Sequence, residues 1–471
     1  MTAKHQPWCS LQETIQLNQF YSLDEAQLLR QIEQAFQPEL GRLKCARAVE
    51  GTEQQRQANG TADRPTPSQI LYGTNYDEIN RTLVGILALR WIHNGDYERF
   101  TCGQQAEYRL TRESFEWLGQ LFAAGLQCAD DLFALVLSMV INDLGKDPNL
   151  EVDYFHTTHL QLPEKNHDSL LLEAAKAGMI PALDYLSPEK RQEVMLGLDL
   201  GSELNAGQLA QAESVPVNLE GLLDMRGHEH AFNLKFLEQI LDVAGAAGHI
   251  DSRGAKNLIE PVFQAFKTVH EVSLDIIAGR SSLRQGYDKV LTKRGNMLFI
   301  KGFRRLSVSD KEDRALLRLL TMGRTADLEQ AELFSKAFHG LDKRDKEQLV
   351  AGLNVDGNVN ETAVLPYYMP AIISTALQNT KDSDDNSKAR ALASLMRYLA
   401  KVLGSPGVGL PGFAGDAVYN GEVPGIIIER NMSKAQHVIN SPEFRNNPDL
   451  LDGLAIPDGQ VLQRRRTSQT W

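Results

Sequence analysis

Cysteine is scarce in this chain and never paired in sequence. Only Cys9, Cys45, Cys102 and Cys128 occur in 471 residues, and no two form a CxxC. That spacing removes zinc ribbons and redox dithiols, and fits reduced thiols in a cytosolic protein. Basic charge is also short. There are 49 Lys and Arg against 61 Asp and Glu, a formal net charge of −12. A chain of pI about 5.5 is a poor partner for nucleic acid or an anionic membrane. The basic stretches "KGFRRL" (301–306) and "QRRRTSQTW" (463–471) are short and read as solvated surface. No apolar run approaches the roughly 20 residues of a membrane span, and the N-terminal stretch has no apolar signal core. A cytoplasmic protein, with no membrane and no nucleic-acid partner, is expected. There is no P-loop, no GxGxxG after an expected strand, no GxSxG and no HExxH.

Hydrophobic residues make up 42% of the chain, enough for a large core. Their spacing is helical. In "YSLDEAQLLRQIEQAF", Leu23, Ala26, Leu29, Ile32 and Phe36 recur every three or four residues. Helices are expected over 76–93, 111–126, 129–145, 230–249 and 259–277, and again near 311–339, 343–353, 364–378 and 386–403. Period-two alternation is rare: "NMLFIKGF" (296–303) and "GIIIE" (425–429) are the two strand candidates. The expected fold is mainly α, a multi-helix bundle with additional C-terminal helices. The expected division is an N-terminal helical arm (1–49), a linker or surface loop (50–69), a helical core (70–295), a C-terminal helical region (296–403), and a Gly/Pro-rich loop and tail (404–471).

"ADDLFALVLSMVINDLG" (129–145) is apolar nearly all round and then ends on Asn142 and Asp143, followed by Gly145 and Lys146. A helix of that kind belongs in a bundle centre. A carboxylate at its end needs Lys146, a helix N-terminus or a metal as partner. Gly145 reads as a helix stop. Other polar residues recur near helix ends: His167 and Asp168, His228 and His230, His249, and Asp275. Imidazole and carboxylate ligands drawn from several helices suit Fe, Mn, Zn or Mg, which would activate water or bind phosphate. A cap or a polar contact for each His, and a structural salt bridge between Asp143 and Lys146, are the competing readings.

"VINDLGKDP" resembles the HD-Leu/Ile-Gly-Lys signature of the HD superfamily, whose fold is all-helical. The superfamily includes metal-dependent phosphohydrolases and di-iron oxygenases of the myo-inositol oxygenase type. Asp143 stands at the motif's Asp and Lys146 at its Lys. Asn142 stands where the family has a metal-binding His, and no His lies in the window where the family's earlier ligand is usually found. The resemblance implies an HD-domain-like bundle over about 75–280. It also implies a divalent metal held by Asp143 with His167, Asp168, His228, His230, His249 and Asp275, and charge assistance from Lys146.

"LNVDGNVNETAVLPYY" (353–368) is not a calcium loop. Its Gly follows Asp356 directly, and Tyr367 stands at the place of the required Glu, so a turn is expected. In "LDVAGAAGHID" (241–251) the small residues point to close helix packing or to a ligand. The functional expectation is a metal-dependent enzyme acting on a small-molecule substrate, a hydrolase or an oxygenase (oxidoreductase). The alternatives are a non-catalytic helical binding protein and a metal-independent accessory, biosynthetic enzyme.

Overall fold

The computed structural model of the chain describes residues 7–48, 53–60, 64–162, 166–408 and 426–462. It is mainly α, with one small sheet. The chain divides into two compact units. The first comprises Met1–Glu203 and Asp224–Lys267, the second Leu204–Leu223 and Thr268–Trp471.

Buried helices organise the first unit. The Asp77–Asn94 and Ala129–Ile141 helices are apolar around nearly their whole circumference and are buried accordingly. Glu229–Gly245 packs on both. Glycines set how closely it approaches Asp77–Asn94: a β-carbon on Gly245 would lie 2.1 Å from the Arg81 carbonyl oxygen, and one on Gly85 would lie 2.7 Å from that of Leu241. The small residues of 241–251 therefore serve helix packing. The Pro188–Glu203 helix lies along the same Glu229–Gly245 helix. The N-terminal arm is docked in this unit. Asp24 and Gln27 form a capping box for Glu25–Ala35, and Leu28, Leu29, Ile32 and Phe36 are fully buried. Within the expected 50–69 loop, Glu53–Ala58 is helical, and Thr66 and Gln69 cap a second helix, Pro67–Tyr72. Residues 49–52 and 61–63 lie outside the described residues.

In the second unit the Leu283–Ile300, Lys311–Met322, Leu328–His339, Lys343–Leu353, Met369–Asn379 and Asp385–Leu403 helices enclose a core that includes Leu316, Leu320, Phe334, Leu395 and Leu399. Arg318 is fully buried, and its guanidinium donates to the carbonyls of Ala212, Ser214 and Leu353 at 3.0–3.1 Å. These bonds offset the cost of burying the charge and pin the 204–223 segment. Strand β1 (Thr362–Tyr367) runs parallel to β2 (Ile426–Asn431) with Thr362 opposite Ile426. Strand β3 (Gly459–Leu462) runs antiparallel to β2 with Val461 opposite Ile428.

Three local expectations change. "NMLFIKGF" is no strand: residues 296–300 complete the Leu283–Ile300 helix, which a Ser282–Gln285 capping box starts and a turn at Gly302 ends. The expected helix over 364–378 begins instead as β1, because its strand partner lies some sixty residues further on, and turns helical only at Met369. The stretch 311–339 is two helices, broken at 323–327. "GIIIE" is strand from Ile426 onward. The Asp356 loop is a turn closed by Glu361, whose carboxylate accepts from three successive amides, those of Asp356, Gly357 and Asn358. Residues 409–425 and 463–471 lie outside the described residues. No single helix among the described residues is long and apolar enough to cross a membrane. One bent pair, Arg112–Gly125 with Ala129–Lys146, passes that test only jointly, and the second of these helices is buried.

Candidate functional site: a charged centre at a buried helix end

The Ala129–Ile141 helix stops at Asn142, and the chain turns through Asp143 into a short 3-10 turn, Leu144–Lys146. Asp143 stays buried, 5% exposed, because the helix before it is buried from Asp131 to Ile141. That turn brings the Lys146 ammonium to 2.7 Å from the Asp143 carboxylate. The partner that the sequence demanded for Asp143 is therefore Lys146. The same ammonium lies 3.3 Å from Glu78, a fully buried carboxyl in the first turn of Asp77–Asn94. Arg81, one turn further along, reaches Glu78 at 3.4 Å.

A second polar stripe faces this group from Glu229–Gly245. Lys235, Glu238 and Asp242 follow one another at spacings of three and four, on one helix face. The Lys235 ammonium lies 2.5 Å from Glu238 and 3.5 Å from the Asn142 side-chain oxygen. Its aliphatic stem lies against Gly197 and Gly201 of Pro188–Glu203, where a β-carbon would come within 3.4 and 2.8 Å of it. Lys235 also feels the charges of Asp168 and Asp242. Asn142, Lys146, Asp168 and Asp242 are only partly buried, so the centre has a solvent-facing edge.

Burial and crowding divide the carboxyls into two kinds. Burial works to raise Asp143, but Lys146, Glu78 and Arg81 together hold it well below the usual carboxylate range. Burial pushes Glu78 well above that range, and the Asp143 charge beside it adds to the push. An ionised Glu78 would leave its buried Oε1 without a donor, whereas a protonated Glu78 shares a hydrogen bond with Asp143. Glu238 is pushed up to about 7 by burial, against the opposing pull of Lys235. Asp242 is raised by burial and by Asp143. Carboxyls outnumber cations in this centre, and burial favours the protonated form of Glu78, Glu238 and Asp242.

The candidates named from sequence do not assemble into one ligand set. His167 and Asp168 begin the His167–Lys176 helix, with His167 Nε2 at 3.5 Å from Asp168. The His167 backbone is pressed against Gly145, while Asp168 faces Lys235 only electrostatically. His228 is exposed at the N-cap of Glu229–Gly245, and its side chain makes no cap bond. His249 is buried beyond the other end of that helix. Asp275 belongs to the second unit, paired with Lys289 at 2.5 Å and Arg280 at 2.8 Å. His230 lies at the start of Glu229–Gly245 beside Asp131, which is in the first turn of Ala129–Ile141, so it is at the opposite end of that helix from Asp143.

There His230 belongs to a group that sequence reasoning missed. Ligand atoms of Asp131, Glu193 and His230 all lie within 4.8 Å of one another, and this is the one such group among the described residues that could hold a metal ion. His230 Nδ1 is 3.1 Å from Glu193, and Nε2 is 3.5 Å from Asp131. The Lys190 ammonium joins both carboxylates, at 2.7 Å from Asp131 and 2.8 Å from Glu193. Glu78, Arg81, Lys235, Glu238 and Asp242 were also missed, although three charges at spacings of three and four along one helix face were a readable signal. A family of unknown function (DUF6829) matches the chain over residues 29–451. No curated protein and no solved structure matches it.

Proposed function

We propose that this chain, which belongs to the DUF6829 family of unknown function, is a divergent relative of the HD superfamily. In this reading it takes a small polar molecule at the Asp143 end of the Ala129–Ile141 helix, and it moves protons there with carboxyl groups rather than activating water on a metal. The observation that carries the reading is the Lys146 ammonium held 2.7 Å from Asp143 and 3.3 Å from the fully buried Glu78 carboxyl, which burial pushes well above the usual carboxylate range. In this reading side-chain cations stand where the HD signature that the sequence resembles would hold a metal, and a buried carboxyl with a raised pKa is suited to give a proton near neutral pH. Lys146 and Arg81 would hold an anionic group of the substrate. Asn142 and Asp168, at the partly exposed edge, would orient it.

The test is metal content by plasma mass spectrometry, for protein purified without chelator and then offered Fe, Mn or Zn, in wild type and Asp143→Asn. The reading expects the two to hold the same amount. An equivalent of metal present in wild type and lost in Asp143→Asn would overturn it in favour of a metal-dependent hydrolase or oxygenase.

A second reading has its own observation. The Asp131–Glu193–His230 group supports a divalent ion, Fe, Mn or Zn, at the other end of the same helix. A metal there would polarise a substrate oxygen or lower the pKa of bound water. Lys190 would have to leave the two carboxylates to admit it. Loss of bound zinc in His230→Ala, with Asp143→Asn unchanged, is the result that favours this reading.

A further inference from the structure

The stretch "KRGNMLFIKGFRRLSVSDK" (293–311) carries six basic residues and one acidic one in a chain whose net charge is −12. The structure places two exposed apolar side chains in its middle. Ile300 is 84% exposed and Phe299 44% exposed, at the last turn of Leu283–Ile300. Neither belongs to the core of the second unit among the described residues. The helix ends in a Schellman motif: the Phe303 amide donates to Leu298 and the Gly302 amide to Phe299, each at 3.0 Å, with Gly302 at a φ of 100°. Leu298 and Phe303, the two residues that this motif brings together, are both core members. The motif therefore turns Leu298 and Phe303 inward and leaves Phe299 and Ile300 on a corner of fixed shape.

Positive charge surrounds that corner. Lys293 is exposed two turns back on the same face as Ile300. The Lys301 ammonium donates to the Ala326 carbonyl, which leaves its charge uncompensated. Arg305 stacks on the Phe299 ring at 4.8 Å. Neither Lys293 nor Arg305 is paired with a carboxylate among the described residues, whereas Arg304 is neutralised by Asp313 at 2.7 Å.

We propose that this corner docks on an anionic lipid bilayer. Phe299 and Ile300 would enter the headgroup boundary, while Lys293, Lys301 and Arg305 meet the lipid charge. An apolar tip ringed by bases fits such a surface: burial of the tip and attraction of the bases add, and each alone is weak. The inference is independent of the site in the first unit.

Flotation of the full chain with vesicles tests it, using phosphatidylcholine alone or with about 30% phosphatidylserine. The wild type should float with the anionic vesicles at low salt, and added salt should release it. A Phe299→Ser, Ile300→Ser variant and a Lys293→Glu, Arg305→Glu variant should each bind at least roughly tenfold more weakly. Both change exposed residues, and unchanged thermal melts would show that they fold. Failure of the wild type to float with the anionic vesicles would overturn the proposal. So would undiminished flotation of the serine variant. Retention on polyglutamate beads without flotation would also overturn it, and would assign the face to an acidic protein instead.

Discussion

A β-carbon on Gly145 would lie 1.9 Å from the carbonyl oxygen of His167. The turn that carries Lys146 and the helix start that carries Asp168 are thus in backbone contact, and glycine is required for its missing side chain. Its φ is not positive, so the helix-stop reading of Gly145 gives way to a steric one. Gly145→Ala should cost about 1–3 kcal/mol or more in urea unfolding. Gly119, in the Arg112–Gly125 helix, serves as the control, because a β-carbon placed there would have nothing within 4 Å of it. There Gly119→Ala should stabilise by about 0.5–1 kcal/mol. Equal effects at the two sites would contradict the close contact.

Lys146→Met tests the ion pair directly. It leaves Asp143 and Glu78 buried with only Arg81 nearby. A charge left uncompensated in the interior costs about 3–5 kcal/mol. Adding Asp143→Asn removes that charge, so the double variant should be more stable than the two separate losses would sum to. The double-mutant cycle should show a coupling on the order of 1–3 kcal/mol. Simple additivity would mean that Lys146 is not the partner of Asp143.

Part of this centre was legible in the sequence. An apolar helix that ends on Asp143, with Lys146 three residues on, already places a carboxylate and an ammonium on one face of a buried end. The helices over 77–94 and 343–353 follow from apolar spacing alone. What escaped depends on contacts remote in sequence. Glu78 and Arg81 look like the ordinary charged first turns of a helix until Asp143 is placed against them. Residues 364–367 read as helical because their strand partner, Ile426–Asn431, gives no local sign. His228 and His230 look equivalent in sequence, and only the packing of Pro188–Glu203 gives His230 its carboxylate neighbours. The placement of His and Asp residues near helix ends suggested one metal site. The fold instead scatters those residues over both units and satisfies Asp143 with a lysine.

Glu213 in the second unit makes stability depend on pH in a direction opposite to that of most carboxylates. It is buried beneath the start of Met369–Asn379 and accepts from the Tyr368 amide, and burial pushes it up to about 8. Between the unfolded carboxyl pKa and that value the folded state holds a proton that the unfolded state has lost. Its contribution to stability is therefore intact below about pH 4.5 and declines as pH rises toward 8. Gln keeps the acceptor and cannot ionise. Glu213→Gln should gain on wild type by about 1–3 kcal/mol between pH 5 and pH 8, read as the difference of two urea titrations. A difference that stays flat with pH would mean that Glu213 is ionised throughout.

Lys190 decides what the Asp131–Glu193–His230 group does. Its ammonium sits 2.7 Å from Asp131 and 2.8 Å from Glu193, so it already supplies the positive charge that a metal would bring. Any divalent ion must displace it, and wild-type affinity for zinc should be correspondingly weak. Lys190→Met removes the competitor and leaves Asp131, 1% exposed, without its cation. The variant should lose about 3 kcal/mol or more without metal. Zinc should restore that loss, because an ion that binds only the folded state stabilises it. Titration against a chelating dye should show zinc binding at least roughly tenfold tighter in Lys190→Met than in wild type. Adding His230→Ala should abolish the gain. If zinc neither rescues Lys190→Met nor binds it more tightly, the three ligands are set too rigidly around an ammonium to accept a metal, and the group serves only to join Pro188–Glu203 to the starts of the two helices beside it.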